Sequence, residues 1–323
     1  LGKIVEEFNS FSSLTWVVTA YLITTTITTP IAGKLSDMFG RRNVILIGVA
    51  IFTLGSLLSG LSADINQLII YRAFQGIGGG IIMANAFTIV GDLFSPRERG
   101  KWQGMIGAVF GLSSVIGPLL GGFLTDPHMI LSLTTDWRWT FFINVPIGLA
   151  VLLLARRFVP ASLPTNKERV DVLGAVTITG SLMAAVYALA KAPDYGWGDA
   201  RTIGIFALAA VLMATFIINE RRVKHPLIDL SIFKRRNVTA GTMIQVLLPA
   251  AMFSMFFYLS IYLQGLLGYT PTETGIANIP FTLTIIAIAG FLSQKAAKIN
   301  PKPFLIAAPL LVAGGLLYLA RLP

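Results

Sequence analysis

Two long apolar segments are separated by the decapeptide Gly33-Lys34-Leu35-Ser36-Asp37-Met38-Phe39-Gly40-Arg41-Arg42. Gly33 has no side chain, so another helix can approach the backbone closely at this point. Asp37 lies at a predicted helix end, where it can pair with Arg41 and can face the positive N-terminus of another helix. A basic loop with a turn glycine would account for the two arginines but not for the whole decapeptide. We therefore predict a latch whose charges hold one conformation and release it in another.

The composition indicates that lipid is the solvent of this chain. Apolar residues make up 54% of its 323 residues and charged residues only 12%, a balance that a soluble domain cannot cover with a polar shell. Ten segments of seventeen residues or more are apolar. As helices, with a rise of about 1.5 Å per residue, they approach or exceed the roughly 30 Å of a hydrocarbon core. They cover residues 14–32, 43–62, 67–92, 101–125, 139–158, 172–191, 201–219, 239–266, 273–294 and 303–320. Barrel strands would be shorter and would alternate with polar residues, so we predict an all-α polytopic membrane protein.

Basic residues alternate between the two sides of these segments. Nineteen of the 25 lysines and arginines fall in every second gap, and five fall in the other gaps. Because inner loops are enriched in Lys and Arg, the nineteen mark the cytoplasmic side. The five on the outer side are Lys3, Arg138, Lys191, Arg201 and Arg321. The net charge of +10 is spread over five inner loops rather than gathered on one face, so we predict no nucleic-acid partner.

Residue types that carry catalytic or metal chemistry are scarce. The chain has no cysteine, and its two histidines, His128 and His225, lie in predicted loops. Disulfides, thiolate sites and histidine clusters are therefore excluded, and we predict no metal, no cofactor and no enzyme activity. The chain begins at Leu1 without an initiator methionine and ends at Pro323 just after an apolar segment, so we expect a fragment of a longer protein.

The remaining basic residue lies inside an apolar segment, in Leu68-Ile69-Ile70-Tyr71-Arg72-Ala73-Phe74-Gln75-Gly76-Ile77-Gly78-Gly79-Gly80. Gln75 follows Arg72 by three residues and so shares its helix face. A charge in a membrane span is tolerated where it faces a water-filled cavity or a partner acid, which makes Arg72 a functional candidate. The alternative is that Arg72 reaches the outer interface from the first turns of the span.

A later segment contains Gly111-Leu112-Ser113-Ser114-Val115-Ile116-Gly117-Pro118-Leu119-Leu120-Gly121-Gly122. Its glycines flank a proline near helical spacing, so this helix can bend and pack tightly against a neighbour. A generic face of small packing residues would explain the same pattern.

These three stretches resemble motifs of the major facilitator superfamily of secondary transporters. The decapeptide is similar to its loop signature, the Arg72 stretch to its fourth-helix motif, and the glycine-proline stretch to the fifth-helix motif of its antiporters. The resemblance implies a conformational latch, to which we assign Gly33, Asp37, Gly40, Arg41, Arg42 and Asp92. It implies proton coupling through Arg72 and Gln75. It also implies export through an antiporter helix with Gly111, Gly117, Pro118, Gly121 and Gly122.

Two further stretches resemble the fourteen-helix drug:proton antiporters of that superfamily. The first, Asp136-Trp137-Arg138-Trp139-Thr140-Phe141-Phe142-Ile143-Asn144-Val145-Pro146-Ile147-Gly148, is similar to the tryptophan-rich start of their sixth helix. Trp137 and Trp139 fit an outer aromatic belt, and Asn144 can bond a carbonyl freed near Pro146. The second, Pro226-Leu227-Ile228-Asp229-Leu230-Ser231-Ile232-Phe233-Lys234-Arg235-Arg236-Asn237, is similar to the amphipathic segment before their second bundle.

The resemblance implies that the ten segments are helices two to eleven of a fourteen-helix major facilitator fold. The predicted domains are an N-terminal helical bundle at 1–159, an inserted helix pair with its linker at 160–225, and the first part of a C-terminal bundle at 226–323. A twelve-helix member would lack the inserted pair. Asp171, just before the first helix of that pair, is predicted to be its N-cap.

Polar residues near the midplane are expected to face the substrate in such folds. The candidates are Asn85, Asn144, Gln245, Tyr258, Tyr262 and Asn278. For each of them, a helix-packing hydrogen bond or a position facing lipid is the alternative. Methionines and phenylalanines at 252–257 would add adaptable surface that suits diverse apolar ligands.

The resemblance implies a proton-coupled, multi-pass transporter of the plasma or bacterial inner membrane that exports drugs or other small lipophilic or cationic compounds. Its expected partners are a small-molecule substrate, protons and membrane lipids, and it is expected to be a monomer. One alternative is a carrier of the same fold for a metabolite, amino acid, sugar or siderophore. A second is a non-transporting membrane scaffold or receptor, which would need neither the decapeptide nor Arg72.

Overall fold

A computed structural model describes residues 7–8, 11–125, 129–130, 133–160, 171–269, 271–281, 283–284, 287–288 and 302–321. These residues are almost entirely helical, as predicted. The main helices are α1 (Phe11–Phe39), α2 (Arg41–Gly60), α3 (Ile65–Leu93), α4 (Pro96–Thr125), α5 (Trp139–Phe142), α6 (Asn144–Phe158), α7 (Val172–Tyr195), α8 (Ala200–Glu220), α9 (Arg236–Ile261), α10 (Pro271–Ala277) and α11 (Lys302–Leu319). A 3-10 helix at Leu230–Lys234 precedes α9, and a π-helix at Tyr262–Leu266 follows it. Two short antiparallel strands, β1 (Met129–Ile130) and β2 (Leu133–Thr134), pair before α5.

Seven helical stretches among the described residues are long and apolar enough to cross a membrane. They are α2, α3, α5 together with α6, α7, α8, residues Arg236–Phe256 of α9, and α11. The predicted count of ten is therefore not confirmed. α1 and α4 cover the predicted spans 14–32 and 101–125 but are not among the seven, and much of the span 273–294 lies outside the described residues.

α1 is polar for a membrane helix because it carries seven threonines. The Thr25 hydroxyl donates to the carbonyl of Gly76 over 3.1 Å, and the Thr29 hydroxyl donates to the carbonyl of Gly80 over 3.5 Å. Both acceptors belong to α3. Side chains that lower the apolar content of α1 thus form contacts between helices, in the way that hydroxyl and small residues associate helices in membranes.

The chain forms two compact units, of which the first comprises Leu1–Ile89 and Leu124–Asp229. In this unit α2 packs against α1, α5 and α6, and α7 packs against α8 and α1. Among the residues described in this unit, one apolar cluster contains Val17, Leu68 and Trp137, and another contains Ala32, Val44 and Ile81. The inserted helix pair is therefore part of the same compact unit as the first helices of the chain.

The second unit comprises Val90–Phe123 and Leu230–Pro323. In it α9 packs against the 3-10 helix, the π-helix and α11, and α10 packs against the π-helix. Large apolar side chains on α9 and α11 are exposed, among them Leu247 and Leu311. Exposed apolar helix faces of this kind are typical of segments surrounded by lipid.

Candidate functional site

The decapeptide forms a tight junction between α1 and α2. Gly40 lies between the two helices with a φ of 86°, a left-handed conformation that favours glycine. Across this junction Arg41 Nη2 lies 2.9 Å from Asp37 Oδ1, which confirms the predicted pair. The Asp37 side chain is 57% exposed, so a pair of this kind contributes only about 0.3–0.5 kcal/mol and can open readily.

Other residues assigned to the latch have different surroundings. A Cβ added at Gly33 would meet nothing within 4 Å, so the close helix contact predicted there is not found among the described residues. Asp92 is exposed in the last turn of α3, and Arg42 is half-buried in the first turn of α2. The latch role of all six assigned residues stays a prediction.

A buried hydrogen bond joins the end of α1 to α3 beside the decapeptide. Ser36 Oγ donates to Asn85 Oδ1, and Asn85 Nδ2 donates to the carbonyl of Ile81 over 2.8 Å. Ser36 is 1% exposed and Asn85 is fully buried. Asn85, a candidate for the substrate cavity, thus holds two helices together in this conformation. Its contact with substrate stays a prediction. The role of Ser36 in joining the two helices was not predicted from the sequence.

Arg72 is held by neutral groups within the first unit. Its Nε donates to the carbonyl of Val17 over 3.3 Å, and its Nη1 donates to Gln75 Oε1 over 2.6 Å. The guanidinium carbon lies 4.1 Å from the centre of the Tyr21 ring and 5.7 Å from that of Phe141. Because these partners belong to α1, α3 and α5, the guanidinium points into the helix bundle. This geometry favours the inward placement of Arg72 over the alternative in which it reaches the outer interface.

Gln75 extends these contacts to α2 and α6. Its Nε2 donates to Ser56 Oγ over 2.9 Å, and Asn144 Nδ2 donates to the same oxygen over 3.0 Å. Ser56 Oγ itself donates to the carbonyl of Phe141 over 3.0 Å. Ser56 is fully buried and Gln75 is 2% exposed. We call Arg72, Gln75, Ser56 and Asn144 the polar network. Arg72 is the cation of this network, and the groups that contact it are neutral.

The irregularity predicted near Pro146 is an interruption of the helical assignment at Ile143, between α5 and α6; the backbone there keeps helical dihedrals (φ −57°, ψ −28°), and we call this position the break. Pro146 has no N–H, so the carbonyl four residues earlier loses its helical donor. Asn144 Nδ2 donates to the carbonyl of Thr140 over 3.3 Å as well as to Ser56. The carbonyl that Pro146 leaves without a donor is that of Phe142, so the predicted bond from Asn144 to a freed carbonyl stays a prediction. The Asn144 amide instead bonds the carbonyl of Thr140 and links the break to α2.

Ser56 was not among the residues predicted from the sequence, although the sequence of α2 contains a signal for it. Thr53, Ser56 and Ser59 recur every three residues in the apolar part of this helix and are 7%, 0% and 0% exposed. Residues at this spacing share one helix face. A polar stripe in an apolar span therefore marks the face that is buried against protein rather than lipid.

Glycines of α3 bring its backbone against two other helices. A Cβ added at Gly78 would lie 2.4 Å from the Phe52 nitrogen and 2.7 Å from the Gly48 carbonyl oxygen of α2. A Cβ added at Gly76 would lie 2.5 Å from the Tyr21 carbonyl oxygen of α1. Glycine alone permits such an approach of two backbones. The polar network is therefore fixed by backbone packing on both sides of α3.

The glycine-proline stretch predicted as an antiporter helix lies within α4. A Cβ added at Gly117 or Gly121 would meet nothing within 4 Å in the described part of the chain. The side-chain surroundings of Gly111, Pro118 and Gly122 fall outside that part. Tight packing of this stretch is therefore not found among the described residues, and its role stays a prediction.

A cavity of about 430 Å³ lies in the second unit between α9, the π-helix and α11. Two predicted substrate residues, Tyr258 and Tyr262, line it. The other lining residues are Ala251, Ser254, Met255, Leu259, Leu316, Leu319 and Ala320. Gln245 is exposed elsewhere on α9, and Asn278 Nδ2 donates to the carbonyl of Thr274 over 2.9 Å. The structure thus brings the two tyrosines to one largely apolar cavity, which Gln245 and Asn278 do not line.

A charged cluster ties the start of α5 to the segment before α1. Arg138 Nη2 lies 2.7 Å from Glu7 Oε1, and Trp137 Nε1 donates to Glu7 Oε2 over 2.6 Å. The hydrogen bond from Arg138 holds the pKa of Glu7 below its ordinary value. Trp137 is 3% exposed, so the prediction that it belongs to an outer aromatic belt is wrong. Its indole N–H has a carboxylate partner inside the protein, which allows burial of the whole ring.

Two buried carboxylates meet where α7 begins and α8 ends. Asp171 Oδ1 accepts from the Gly174 N–H over 2.9 Å, which confirms the predicted N-cap, and Asp171 Oδ2 accepts from Asn219 Nδ2. A Cβ at Gly174 would lie 2.4 Å from Asp171 Oδ2 and 3.0 Å from Glu220 Oε1. A side chain at this position would have to displace one of these carboxylates, which favours glycine.

Glu220 clamps the backbone of the linker that follows α8. Its two carboxylate oxygens accept from the N–H groups of Leu227 and Ile228 over 3.2 and 3.3 Å. Residues 221–224 between them contain three trypsin sites. We expect Glu220→Ala to raise the rate of tryptic cleavage there by roughly tenfold or more, because hydrogen bonds to a charged acceptor contribute about 1.5–3 kcal/mol each. Limited proteolysis of the purified full-length protein with mass-spectrometric mapping measures this rate.

Two further variants sharpen the proteolysis test. Glu220→Gln keeps one oxygen acceptor and is expected to give an intermediate rate. Glu98→Ala removes an exposed carboxylate that bonds Ser95 at the start of α4, so cleavage at 221–224 should stay unchanged. Equal cleavage of Glu220→Ala and the unaltered protein would contradict the clamp.

Comparisons with known proteins agree with this architecture. A sequence model of the Major Facilitator Superfamily matches residues 1–322. The chain is 36% identical over 323 residues to "Multidrug transporter protein MdtP" of Bacillus subtilis (strain 168), covering 100% of this chain and 58% of that protein. It is 38% identical over 304 residues to "Multidrug resistance protein 3" of the same organism, covering 93% and 58%.

A solved structure is similar in fold. The proton:xylose symporter XylE superposes with a TM-score of 0.59 at 17% identity, covering 90% of this chain and 61% of that chain. At this identity the similarity concerns the fold alone. The chain spans about 58% of the length of the two Bacillus relatives.

Proposed function

The chain belongs to the major facilitator superfamily, and we propose that the whole protein is a proton-coupled secondary transporter that exports drugs or other small lipophilic or cationic compounds by alternating access. Membership makes the chain part of an integral membrane transporter rather than of an enzyme. The names of the two Bacillus relatives support the drug class of substrate. In alternating access, the two halves of the protein rock about a central site.

The observation that carries proton coupling is the surroundings of Arg72. A cation within an apolar helix is costly unless polar groups hold it, and such residues commonly mark ion or proton pathways. The partners of Arg72 among the described residues are a carbonyl, an amide and two aromatic rings, none of which carries a negative charge. A carboxylate brought near this guanidinium would be favoured in its ionised form. Proton release and the approach of Arg72 would thereby be coupled.

The proposed architecture extends the fold to the whole protein. The ten predicted spans correspond to helices two to eleven of fourteen. The domains are the N-terminal bundle at 1–159, the inserted pair at 160–225 and the beginning of the C-terminal bundle at 226–323. The protein is a monomer with lipid around its helices, because its two halves themselves enclose the substrate path.

The cavity lined by Tyr258 and Tyr262 supports a lipophilic or aromatic cation as substrate. Its wall is apolar apart from two phenol groups and one serine hydroxyl. Aromatic rings attract cations, and methionine adapts to ligands of different shape. Met255 supplies such a side chain at this cavity.

Efflux of ethidium from energised cells that express the full-length gene tests the proposed function. We expect rapid efflux that a protonophore abolishes. Asp37→Asn should slow efflux about twofold at an unchanged protein level, because the exposed pair with Arg41 is lost while the side-chain shape is kept. Absence of efflux from wild-type cells with normal protein levels would contradict the exporter and favour the carrier of a specific metabolite.

A further inference from the structure

We propose that Ser56 is a positioning residue that links the side chain of Arg72 to the break between α5 and α6. The inference rests on the proposed role of Arg72 in proton coupling. It adds to that role the part of the structure that would change when the guanidinium moves. The responding element is the break at Ile143.

The hydrogen-bonding capacity of Ser56 is fully used. A hydroxyl group has one donor and two acceptor sites. The donor goes to the Phe141 carbonyl, and the two acceptors receive Gln75 Nε2 and Asn144 Nδ2. Since Ser56 is fully buried, water cannot replace any of these partners without an opening of the bundle.

Gln75 can transmit a displacement of Arg72 because both ends of its amide are committed. Its oxygen accepts from Arg72 and its nitrogen donates to Ser56. If the Gln75 amide flipped, its NH2 group would face the Arg72 guanidinium and its oxygen would face Ser56 Oγ. Neither of the present hydrogen bonds would then remain. Movement of Arg72 away from the amide oxygen therefore disturbs the bond that Gln75 makes with Ser56.

Phe141 contacts both Arg72 and Ser56. Its aromatic ring lies 5.7 Å from the Arg72 guanidinium carbon, and its carbonyl accepts from Ser56. Asn144, on the other side of the break, donates to the same serine. Ser56 thus bonds both flanks of a helix break that the missing N–H of Pro146 already weakens. Loss of either bond would free the break to bend.

Hydrogen exchange of residues 139–148 in the purified full-length protein tests this inference. Ser56→Ala is expected to speed exchange there by about tenfold, because buried donors lose their acceptor. Arg72→Ala is expected to speed it as well. The double variant should be no faster than Ser56→Ala alone, since both act through one path. Ser56→Thr keeps the hydroxyl and should restore slow exchange.

Ser59→Ala is the matched control for this experiment. Ser59 is fully buried one turn further along α2, but its hydroxyl donates only to the carbonyl of Gly55 in the same helix. Exchange at 139–148 should therefore stay at the wild-type rate. If Ser56→Ala cannot be purified, Ser56→Cys, a weaker acceptor, takes its place in the same cycle.

The outcomes separate this inference from the proposed function. Unchanged exchange in Ser56→Ala, or effects of Ser56→Ala and Arg72→Ala that multiply in the double variant, would overturn the positioning role even if ethidium efflux is observed. Because exchange is measured without transport, a protein that fails to export ethidium would contradict the exporter while the exchange cycle still decides the role of Ser56.

Discussion

Gly78→Ala is expected to destabilise the protein by about 2 kcal/mol or more, the range found for overpacked interiors. The new methyl group would lie 2.4 Å from the backbone nitrogen of Phe52 and 2.7 Å from the carbonyl oxygen of Gly48. Both atoms belong to the backbone of α2, so neither can turn aside as a side chain could. α2 and α3 would have to separate, and Gln75 on α3 would move away from Ser56 on α2. Thermal unfolding of the purified full-length protein measures the loss.

Gly91→Ala provides the matched control on the same helix. A Cβ at Gly91 would meet nothing within 4 Å among the described residues. Alanine is the better helix former, so this variant should be neutral or more stable by up to about 1 kcal/mol. A Gly78→Ala protein as stable as Gly91→Ala would contradict the backbone contact between α2 and α3.

Arg72→Ala is expected to reduce protonophore-sensitive ethidium efflux to the level of cells without the protein. The guanidinium contacts a carbonyl, an amide oxygen and an aromatic ring. Alanine removes the cation together with the donors for Val17 and Gln75. Arg72→Lys keeps a charge but lacks the planar fork, so we expect about tenfold slower efflux rather than none. Efflux is measured at protein levels matched by immunoblotting.

Arg157→Ala is the control for the loss of an arginine. Arg157 is exposed near the end of α6, and its guanidinium carbon lies 5.9 Å from the Phe158 ring. Its removal should leave efflux and protonophore sensitivity near wild type. Full activity of Arg72→Ala would show that the buried cation is not part of the coupling mechanism.

Features that depend on repeating patterns or on neighbours in sequence could be predicted from the sequence alone. The helical class follows from apolar segments too long for strands, and a lone arginine inside one of them marks Arg72 as a functional candidate. The N-cap at Asp171 and the pair of Asp37 with Arg41 involve neighbours in sequence, so local spacing predicts them. The predicted count of ten spans is not confirmed. One reason is that the threonines in α1 lower the mean hydropathy of that helix although some of them lie on a face that packs against α3.

Contacts between residues far apart in the sequence could not be predicted in this way. Trp137 was predicted to face the membrane interface, yet it is buried and bonds Glu7, a residue 130 positions away. The close helix contact expected at Gly33 is not found in the described residues, whereas Gly78 makes such a contact. A glycine in a membrane helix permits close approach, but its helix face and its neighbours decide whether one occurs.

The sequence by itself determined that this chain is helical, lies in a membrane and carries one arginine within a span, because hydropathy, charge asymmetry and motif spacing are properties of a linear chain. Only the tertiary structure decided which groups surround that arginine. Ser56, Gln75 and Asn144 come from three different helices, and Ser56 Oγ lies within 3.0 Å of the amide nitrogens of the other two. The physical reason is that a buried polar group must find its partner wherever packing places one, and the order of residues along the chain does not specify that place.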